Sequence, residues 1–256
     1  MAEKGRSGVE SDVTAPLCSF SDAEAVSIRA ASIVAGLSKI AQDSKGRFTI
    51  AVSGGSTPLR FFELLGTSLR NDIEWARTEI FWADERCVPP EHKDSNYKSA
   101  QEALLSRVDI PRENVHRIRG EMPPEEGARE YEEELLRCFG SAGLPEFDLI
   151  ILGVGEDGHT ASLFPDAASL SEEKRFAVPV YAGKMQNWRI TLTLPVLNNA
   201  ATILFLVTGQ KKADILREIY EDRKKGTKYP ASLIKPVHGE AIWLVDREAS
   251  SQLKGM

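Results

Sequence analysis

The sequence from Phe147 to His159 reads FDLIILGVGEDGH, and it decides the fold prediction. The four aliphatic residues from Leu149 to Leu152 form a short apolar run, which is typical of a strand buried on both faces of a parallel sheet. Three glycines, a carboxylate and a histidine follow within seven residues. Because glycine lets a ligand approach the backbone closely, this stretch predicts a strand that ends at a binding site.

The same pattern of apolar run and polar turn recurs elsewhere in the chain. Residues 48–52 are apolar and precede SGGSTP, and residues 79–83 lead into Asp84-Glu85-Arg86. Helical segments separate these runs. Alternation of buried strands with helices predicts an α/β fold, namely a three-layer α/β/α sandwich with a mainly parallel, Rossmann-like sheet. We expect residues 1–14 to be a disordered tail and residues 15–256 to form a single catalytic domain.

Composition limits the possible partners. The chain has 32 basic and 38 acidic residues, a net charge of −6, which disfavours a general affinity for nucleic acid or for anionic membranes. Its three cysteines, Cys18, Cys87 and Cys138, are odd in number and widely spaced, as expected in a reducing compartment. No apolar run approaches the roughly 20 residues that span a bilayer. We therefore expect a cytoplasmic protein that acts on a small molecule; a monomer is favoured, although the sequence does not fix the oligomeric state.

A glycine-rich loop follows the strand at residues 48–52. Two glycines flanked by hydroxyls come directly before a helix, whose free N–H groups and positive dipole end favour an anion. Thr57 is the predicted N-cap and Pro58 the first helical residue. The lysine of a Walker loop is missing, and a tight turn without a ligand is the alternative. The candidate phosphate-binding residues here are Ser53, Gly54, Gly55, Ser56 and Thr57.

The Gly153–Gly158 segment matches G-x-G-x-x-G, but a dinucleotide site is not expected. Pro165 follows Gly158 by only seven residues, which leaves little room for the long helix that a pyrophosphate turn requires. His159 is instead a candidate general base, because an unperturbed imidazole is mostly neutral at pH 7. A turn histidine bonded to the backbone is the alternative.

Asp157 has two possible roles. It either orients the His159 ring or forms an Asx turn with its own backbone. The other three histidines, His92, His116 and His238, lie in unrelated polar contexts, so we expect them at the surface and predict no metal site.

Cations are the remaining candidates for an anion site. Arg86 follows a strand and either binds an anion or pairs at the surface with Glu85 or Glu91. Arg189 is a charge within an otherwise strand-like run. Lys211 and Lys212 stand at a helix start, where the dipole disfavours cations unless an anion is present.

Together these stretches resemble the 6-phosphogluconolactonases of the pentose phosphate pathway. The resemblance extends from about residue 15 to 247, and the matching stretches are residues 53–58, 84–86, 94–97, 148–165, 189–198 and 208–213. Glucosamine-6-phosphate deaminases look similar at the glycine loop and at the D-G-H turn. They differ after His159, where this chain reads TASLFP and deaminases typically read IAFNEP. Where some lactonases place a lysine after the T-P step, this chain has Leu59 and Arg60.

The resemblance implies hydrolysis of 6-phospho-D-glucono-1,5-lactone without a metal or organic cofactor. It implies that His159 activates the attacking water, with Asp157 beside it and Arg86 near the reacting carboxyl. The phosphate would lie against residues 53–57, with Arg189 and Lys212 as cationic partners. Lys212 is preferred to Lys211 because it directly precedes Ala213, as the lysine does in the related deaminases.

Two alternatives remain open at this point. One is a glucosamine-6-phosphate deaminase or isomerase, in which Asp84 or Asp157 would transfer protons together with His159. The other is a sugar-phosphate sensor that binds its ligand without turnover.

Overall fold

The computed structural model describes residues 15–222 and 229–253, so the predicted tail at residues 1–14 lies outside the described residues. Strands and helices alternate along this part of the chain. The strands are β1 (Leu17–Phe20), β2 (Phe48–Val52), β3 (Thr78–Trp82), β4 (Asp84–Arg86), β5 (Val115–His116), β6 (Leu149–Leu152), β7 (Ala177–Ala182), β8 (Asn187–Leu192), β9 (Thr202–Val207) and β10 (Glu240–Asp246). The α-helices are α1 (Ala23–Lys45), α2 (Ser56–Gly66), α3 (Asn96–Ala103), α4 (Pro124–Phe139), α5 (Leu194–Leu197) and α6 (Ala213–Asp222).

A seven-stranded parallel sheet forms the centre of the fold, in the order β1-β10-β9-β6-β2-β3-β5. The predicted α/β fold with a mainly parallel sheet is therefore confirmed. Every residue of β2, β6 and β9 is buried, which explains why these strands are apolar apart from Thr49 and Thr202. These three strands are neighbours, so the turns that follow them lie side by side at one edge of the sheet.

A second, smaller sheet was not predicted. Strands β4, β8 and β7 form an antiparallel sheet in that order, and helix α4 packs against β7 and β8. Strand β4 is only three residues long and follows β3 after a single residue, Ala83. A strand this short has too few positions for an alternating pattern, so the sequence gives no sign that Asp84–Arg86 leaves the main sheet.

Apolar side chains beneath the helices form a contiguous buried cluster. Helices α1 and α2 pack against each other, and α1 also contacts β2, β9 and β10. Removing this apolar surface from water stabilises the sheet edge that carries the polar turns. Within the described residues, none of the helices combines the length and the apolar character that crossing a membrane requires.

The prediction for His116 is wrong. The side chain is buried and stacks on Phe81, with ring centroids 4.3 Å apart. Its Nε2 lies 2.6 Å from Glu79 Oε2, and its Nδ1 lies 2.5 Å from Glu134 Oε1. Burial opposes the charged imidazole, but hydrogen bonds with Cys138, Glu79 and Glu134 outweigh it and raise the pKa of His116 to about 10. The other two histidines, His92 and His238, are exposed as predicted.

Candidate active site

A cavity of about 500 Å³ opens where the turns after β2, β6 and β9 meet the small sheet. Nine of the ten residues predicted for the site line it, and the side chain of the tenth, Ser56, lies outside the described part of the chain. The nine are Ser53, Gly54, Gly55, Thr57, Arg86, Asp157, His159, Arg189 and Lys212. The structure thus brings together the ends of β2, β6 and β9 at Val52, Leu152 and Val207, which are 100 and 55 residues apart in the sequence.

The turn after β6 holds an imidazole and a carboxylate in direct contact. Asp157 Oδ1 lies 2.5 Å from His159 Nδ1 and also accepts a hydrogen bond of 3.3 Å from the His159 backbone N–H. Asp157 therefore has both of the geometries that the sequence left open, since it forms the turn and orients the ring. With Nδ1 engaged by the carboxylate, Nε2 is the nitrogen that can take a proton.

Electrostatics in this turn favour an ionised carboxylate. Partial burial raises the pKa of Asp157, but the charge and hydrogen bonds of His159 outweigh that effect, so the pKa lies below the usual value for aspartate. The imidazole ring also packs against Phe164, with centroids 4.7 Å apart. A charged group on one side and an aromatic ring on another restrict the orientation of His159.

Gly155 and Gly158 allow the turn to close around the histidine. A Cβ on Gly155 would lie 2.1 Å from His159 Cε1 and Nδ1, which no side chain can tolerate. Gly158 has φ +79°, a left-handed conformation that favours glycine, and a Cβ there would lie 2.5 Å from the Tyr229 ring. No long helix follows Gly158, as expected from Pro165.

The glycine loop after β2 is held from both sides. A Cβ on Gly54 would lie 1.7 Å from Asn96 Oδ1, so the loop backbone lies directly against helix α3. On the other side, Thr57 Oγ1 lies 3.0 Å from Thr208 Oγ1 in the turn after β9. The predicted N-cap role of Thr57 is wrong, because helix α2 starts at Ser56 with Gly55 as its N-cap, at φ +117° and without a side-chain cap.

That helix end is suited to bind an anion. Its first N–H groups receive no bond from a capping side chain, and the helix dipole places partial positive charge at the same point. The buried hydroxyl of Ser53 has no hydrogen-bond partner among the described residues, which leaves it available to a ligand.

Two arginines of the small sheet face the cavity together. Arg86 on β4 and Arg189 on β8 are cross-strand partners. The Arg86 guanidinium donates 2.6 Å to the Asp94 carbonyl, and among the described residues it makes no ion pair with a carboxylate. The Glu85 carboxylate instead accepts hydrogen bonds from backbone N–H groups, including that of Arg86 itself. The alternative of a surface ion pair for Arg86 therefore does not apply.

Arg189 is buried beside one carboxylate. Its Nη1 lies 4.0 Å from Asp84 Oδ2, and its guanidinium lies 5.7 Å from the centre of the Phe164 ring. Burial lowers the pKa of Arg189, Asp84 partly offsets this, and Arg86 lowers the pKa further. An anion in the cavity would remove part of this electrostatic cost.

Lys212 rather than Lys211 lies at the cavity. It ends a short 3-10 helix, Gln210–Lys212, that follows β9, whereas Lys211 is exposed and does not contribute to the cavity wall. Lys212 makes no ion pair with any residue in 15–222 or 229–253. Its ammonium group is therefore available to a bound anion. Arg60 takes no part in the site, because it pairs with Glu24 and Glu63 on exposed surface.

Sequence reasoning missed Met185 and Thr208 in the cavity wall, and it named Asp84 only as a proton-transfer group of the deaminase alternative. In the structure Asp84 lies 2.6 Å from the Ser162 hydroxyl and 3.3 Å from Asn96 Nδ2, so it organises the floor below Arg189. The position of Asp84 beside Arg86 at a strand end is a signal that places it at the cavity. Met185, whose Sδ contacts Arg189, and Thr208 carry no such signal. Both lie in connecting segments, where residue types are variable and do not by themselves indicate a binding site.

Known proteins share this arrangement of elements. A family model described as "Glucosamine-6-phosphate isomerases/6-phosphogluconolactonase" matches residues 21–243. A 6-phosphogluconolactonase of Synechocystis sp. is 42% identical over 213 residues, covering 82% of this chain and 86% of that protein. A human 6-phosphogluconolactonase is 39% identical over 234 residues, covering 90% and 88%. The solved structure of a 6-phosphogluconolactonase from Trypanosoma cruzi superposes with a TM-score of 0.83 at 26% identity, covering 94% of this chain and 98% of that one.

Proposed function

This chain belongs to the family of glucosamine-6-phosphate isomerases and 6-phosphogluconolactonases, and we propose that its cavity hydrolyses 6-phospho-D-glucono-1,5-lactone to 6-phospho-D-gluconate. One observation carries this proposal. The His159–Asp157 pair, a proton-transfer group, shares a single cavity with Arg86, Arg189 and Lys212, which suit an anionic substrate. The relatives that are about 40% identical support the lactonase over the deaminase.

The phosphate of the substrate binds at the glycine loop. The uncapped N–H groups of helix α2 and the unpartnered Ser53 hydroxyl donate to its oxygens. Arg189 and Lys212, which line the same cavity, neutralise its charge. Binding energy from this remote group fixes the lactone ring relative to the histidine.

His159 activates the attacking water. Its Nε2 takes a proton as the water oxygen bonds to C1 of the lactone, while Asp157 holds the other ring nitrogen and stabilises the imidazolium that forms. The resulting tetrahedral intermediate carries negative charge on the former carbonyl oxygen. Arg86 stabilises it, together with those backbone N–H groups of residues 153–158 that do not already donate within the turn, as the N–H groups of Gly155 and Gly158 do.

Collapse of the intermediate opens the ring. The bond between C1 and the ring oxygen breaks, and the imidazolium returns its proton to the leaving oxygen. The products are a carboxylic acid, which ionises, and a free hydroxyl on the sugar chain. The proton balance of this step involves only water, the substrate and His159.

A paired assay tests the function. We expect freshly generated 6-phosphogluconolactone to release acid well above its spontaneous rate in the presence of the protein, and glucosamine 6-phosphate to release no ammonia. Ammonia release would instead support the deaminase. Binding of either sugar phosphate without turnover would support the sensor and remove the proposed activity.

We also propose a cytoplasmic monomer. One chain supplies the glycine loop, the His159–Asp157 pair and the cations that the proposed reaction uses, so the proposed chemistry calls for no group from a second copy. The three cysteines are all unpaired, which fits a reducing compartment. Light scattering of the purified protein gives its mass directly, and a dimer at micromolar concentration would contradict the proposed monomeric state.

A further inference from the structure

Three potential metal ligands converge at the edge of the main sheet, away from the active site. His116 lies on the edge strand β5, and Glu134 and Cys138 lie one turn apart on helix α4. One ligand atom from each lies within 4.8 Å of the other two. We call these residues, together with Glu79, the β5–α4 cluster. None of the four lines the active-site cavity.

The spacing within the cluster suits a tetrahedral ion. Cys138 Sγ lies 3.7 Å from His116 Nδ1 and 3.9 Å from Glu134 Oε1. Zinc bonds of about 2.3 Å to sulfur and about 2.0 Å to nitrogen or oxygen, at tetrahedral angles, place sulfur about 3.5 Å from each of the other ligand atoms. The third distance between ligand atoms, from His116 Nδ1 to Glu134 Oε1, is 2.5 Å, shorter than a bound ion requires. It would lengthen to about 3.3 Å when an ion replaces the proton that these two atoms share.

We propose that His116 Nδ1, Glu134 Oε1 and Cys138 Sγ bind one divalent transition-metal ion of borderline softness, such as Zn²⁺, with water as the fourth ligand. The mixed nitrogen, oxygen and sulfur donor set selects this class over Mg²⁺ or Ca²⁺, which prefer oxygen alone.

Neighbouring side chains already hold the ligands in place. Glu79 Oε2 lies 2.6 Å from His116 Nε2, so the nitrogen that faces away from the ion can donate its hydrogen to a carboxylate. This carboxylate–histidine–metal arrangement fixes the ring orientation in many metal sites. Arg137 pairs with the other oxygen of Glu134, Oε2, which turns Oε1 towards His116.

The cluster is accessible from solvent. His116 and Glu134 line a second cavity, of about 670 Å³, which gives an ion a path to the site and room for a water ligand. The ion would connect β5 to α4 and add to the contacts that already join the edge of the sheet to that helix. Its expected effect is therefore on stability rather than on hydrolysis.

Cobalt titration tests the site because a cobalt–thiolate bond produces an intense near-ultraviolet absorption band. We expect one Co²⁺ per chain and a band that disappears in Cys138→Ser. The chain offers two matched controls, Cys18→Ser and Cys87→Ser, and both should retain the band, since neither thiol lies in the cluster. Glu79→Gln should weaken binding by about 10- to 100-fold, the usual effect of losing a carboxylate behind a ligating histidine.

Zinc should also stabilise the protein through the same residues. At a hundredfold excess over its Kd, Zn²⁺ should raise the Tm of the wild type by about 5 °C and leave that of Cys138→Ser unchanged. A cobalt band that persists in Cys138→Ser, or no stoichiometric binding at micromolar metal, would overturn the proposal. Should Cys138→Ser fail to fold, X-ray absorption spectroscopy of the zinc-loaded wild type tests the same site. The proposal requires one sulfur and two or three nitrogen or oxygen atoms bound to the zinc, and a spectrum without a sulfur ligand would overturn it.

Discussion

Arg86 and Arg189 lie directly opposite each other in neighbouring antiparallel strands, and both line the active-site cavity. Like charges in this relationship repel, and Asp84, 4.0 Å from Arg189, partly compensates, with smaller contributions from Glu85 and Asp94. Such an arrangement is more stable with an anion bound than without one. It explains why an acidic protein with a net charge of −6 can hold a doubly charged sugar phosphate.

Removal of one cation proposed to bind the phosphate should weaken substrate binding more than it slows the chemical step. For Arg189→Ala and for Lys212→Ala we expect KM to rise about 10- to 100-fold, in keeping with the loss of about 1.5–3 kcal/mol from a charge-assisted hydrogen bond, with a smaller change in kcat. Initial rates of acid release over a range of lactone concentrations measure both constants. Lys211→Ala is the matched control and should leave KM unchanged, because Lys211 is exposed and outside the cavity.

Substitution of the histidine should abolish most of the turnover while the fold persists. For His159→Ala we expect kcat to fall about a hundredfold or more, since a general base contributes 10²- to 10⁴-fold. His92→Ala, a change at an exposed histidine outside the cavity, should behave as the wild type. Circular dichroism and acid release on the same samples provide the measurement, and near-normal hydrolysis by His159→Ala would remove the imidazole from the mechanism.

Two glycines of one turn should respond differently to the same change. Gly155→Ala places a methyl group 2.1 Å from the His159 ring, so the ring must move and kcat should fall almost as far as in His159→Ala. Gly153→Ala, two residues earlier, meets no atom within 4 Å of the new Cβ and should keep most of the activity. Equal activities of the two variants would show that the observed ring position is not required.

The Asp157 carboxylate should matter for stability only where it is ionised. Its pKa is lowered in the folded protein, so it stabilises the fold above the unfolded pKa of about 3.9 and loses this effect as pH falls through the lower, folded value. We expect Asp157→Asn to have a lower Tm than the wild type at pH 7, and this difference to shrink below about pH 4. Thermal melts of both proteins from pH 7 to below pH 4 measure how the Tm difference changes. A Tm difference that grows as the pH falls would contradict the prediction.

Much of the site could be predicted because it lies at strand ends. Residues 149–152 are all apolar and residues 48–52 are apolar apart from Thr49, which indicates strands buried on both faces and therefore central. Turns that follow central parallel strands meet at one edge, which is why Ser53–Thr57 and Asp157–His159 could be placed together before any coordinates.

The remaining features depend on contacts that local sequence does not record. His116 looks like a surface residue, yet its partners Glu79 and Glu134 lie 37 and 18 positions away. Glu79 becomes a neighbour when β3 pairs with β5, and Glu134 when α4 packs beside β5. Threonine is a residue type that is common at N-caps, but the hydroxyl of Thr57 contacts Thr208, 151 positions later. A tertiary contact outweighs local propensity in both cases.

The small antiparallel sheet separates two tasks that many active sites combine. The group that moves protons belongs to a turn of the main sheet, whereas Arg86 and Arg189 come from strands β4 and β8. Because Arg86 is proposed to stabilise the intermediate, we expect only substitutions around Arg189 to alter which sugar phosphate is accepted while the His159–Asp157 pair keeps its own contact. Such modularity offers a route by which one scaffold could diverge towards new substrates during evolution while its reaction chemistry is inherited unchanged.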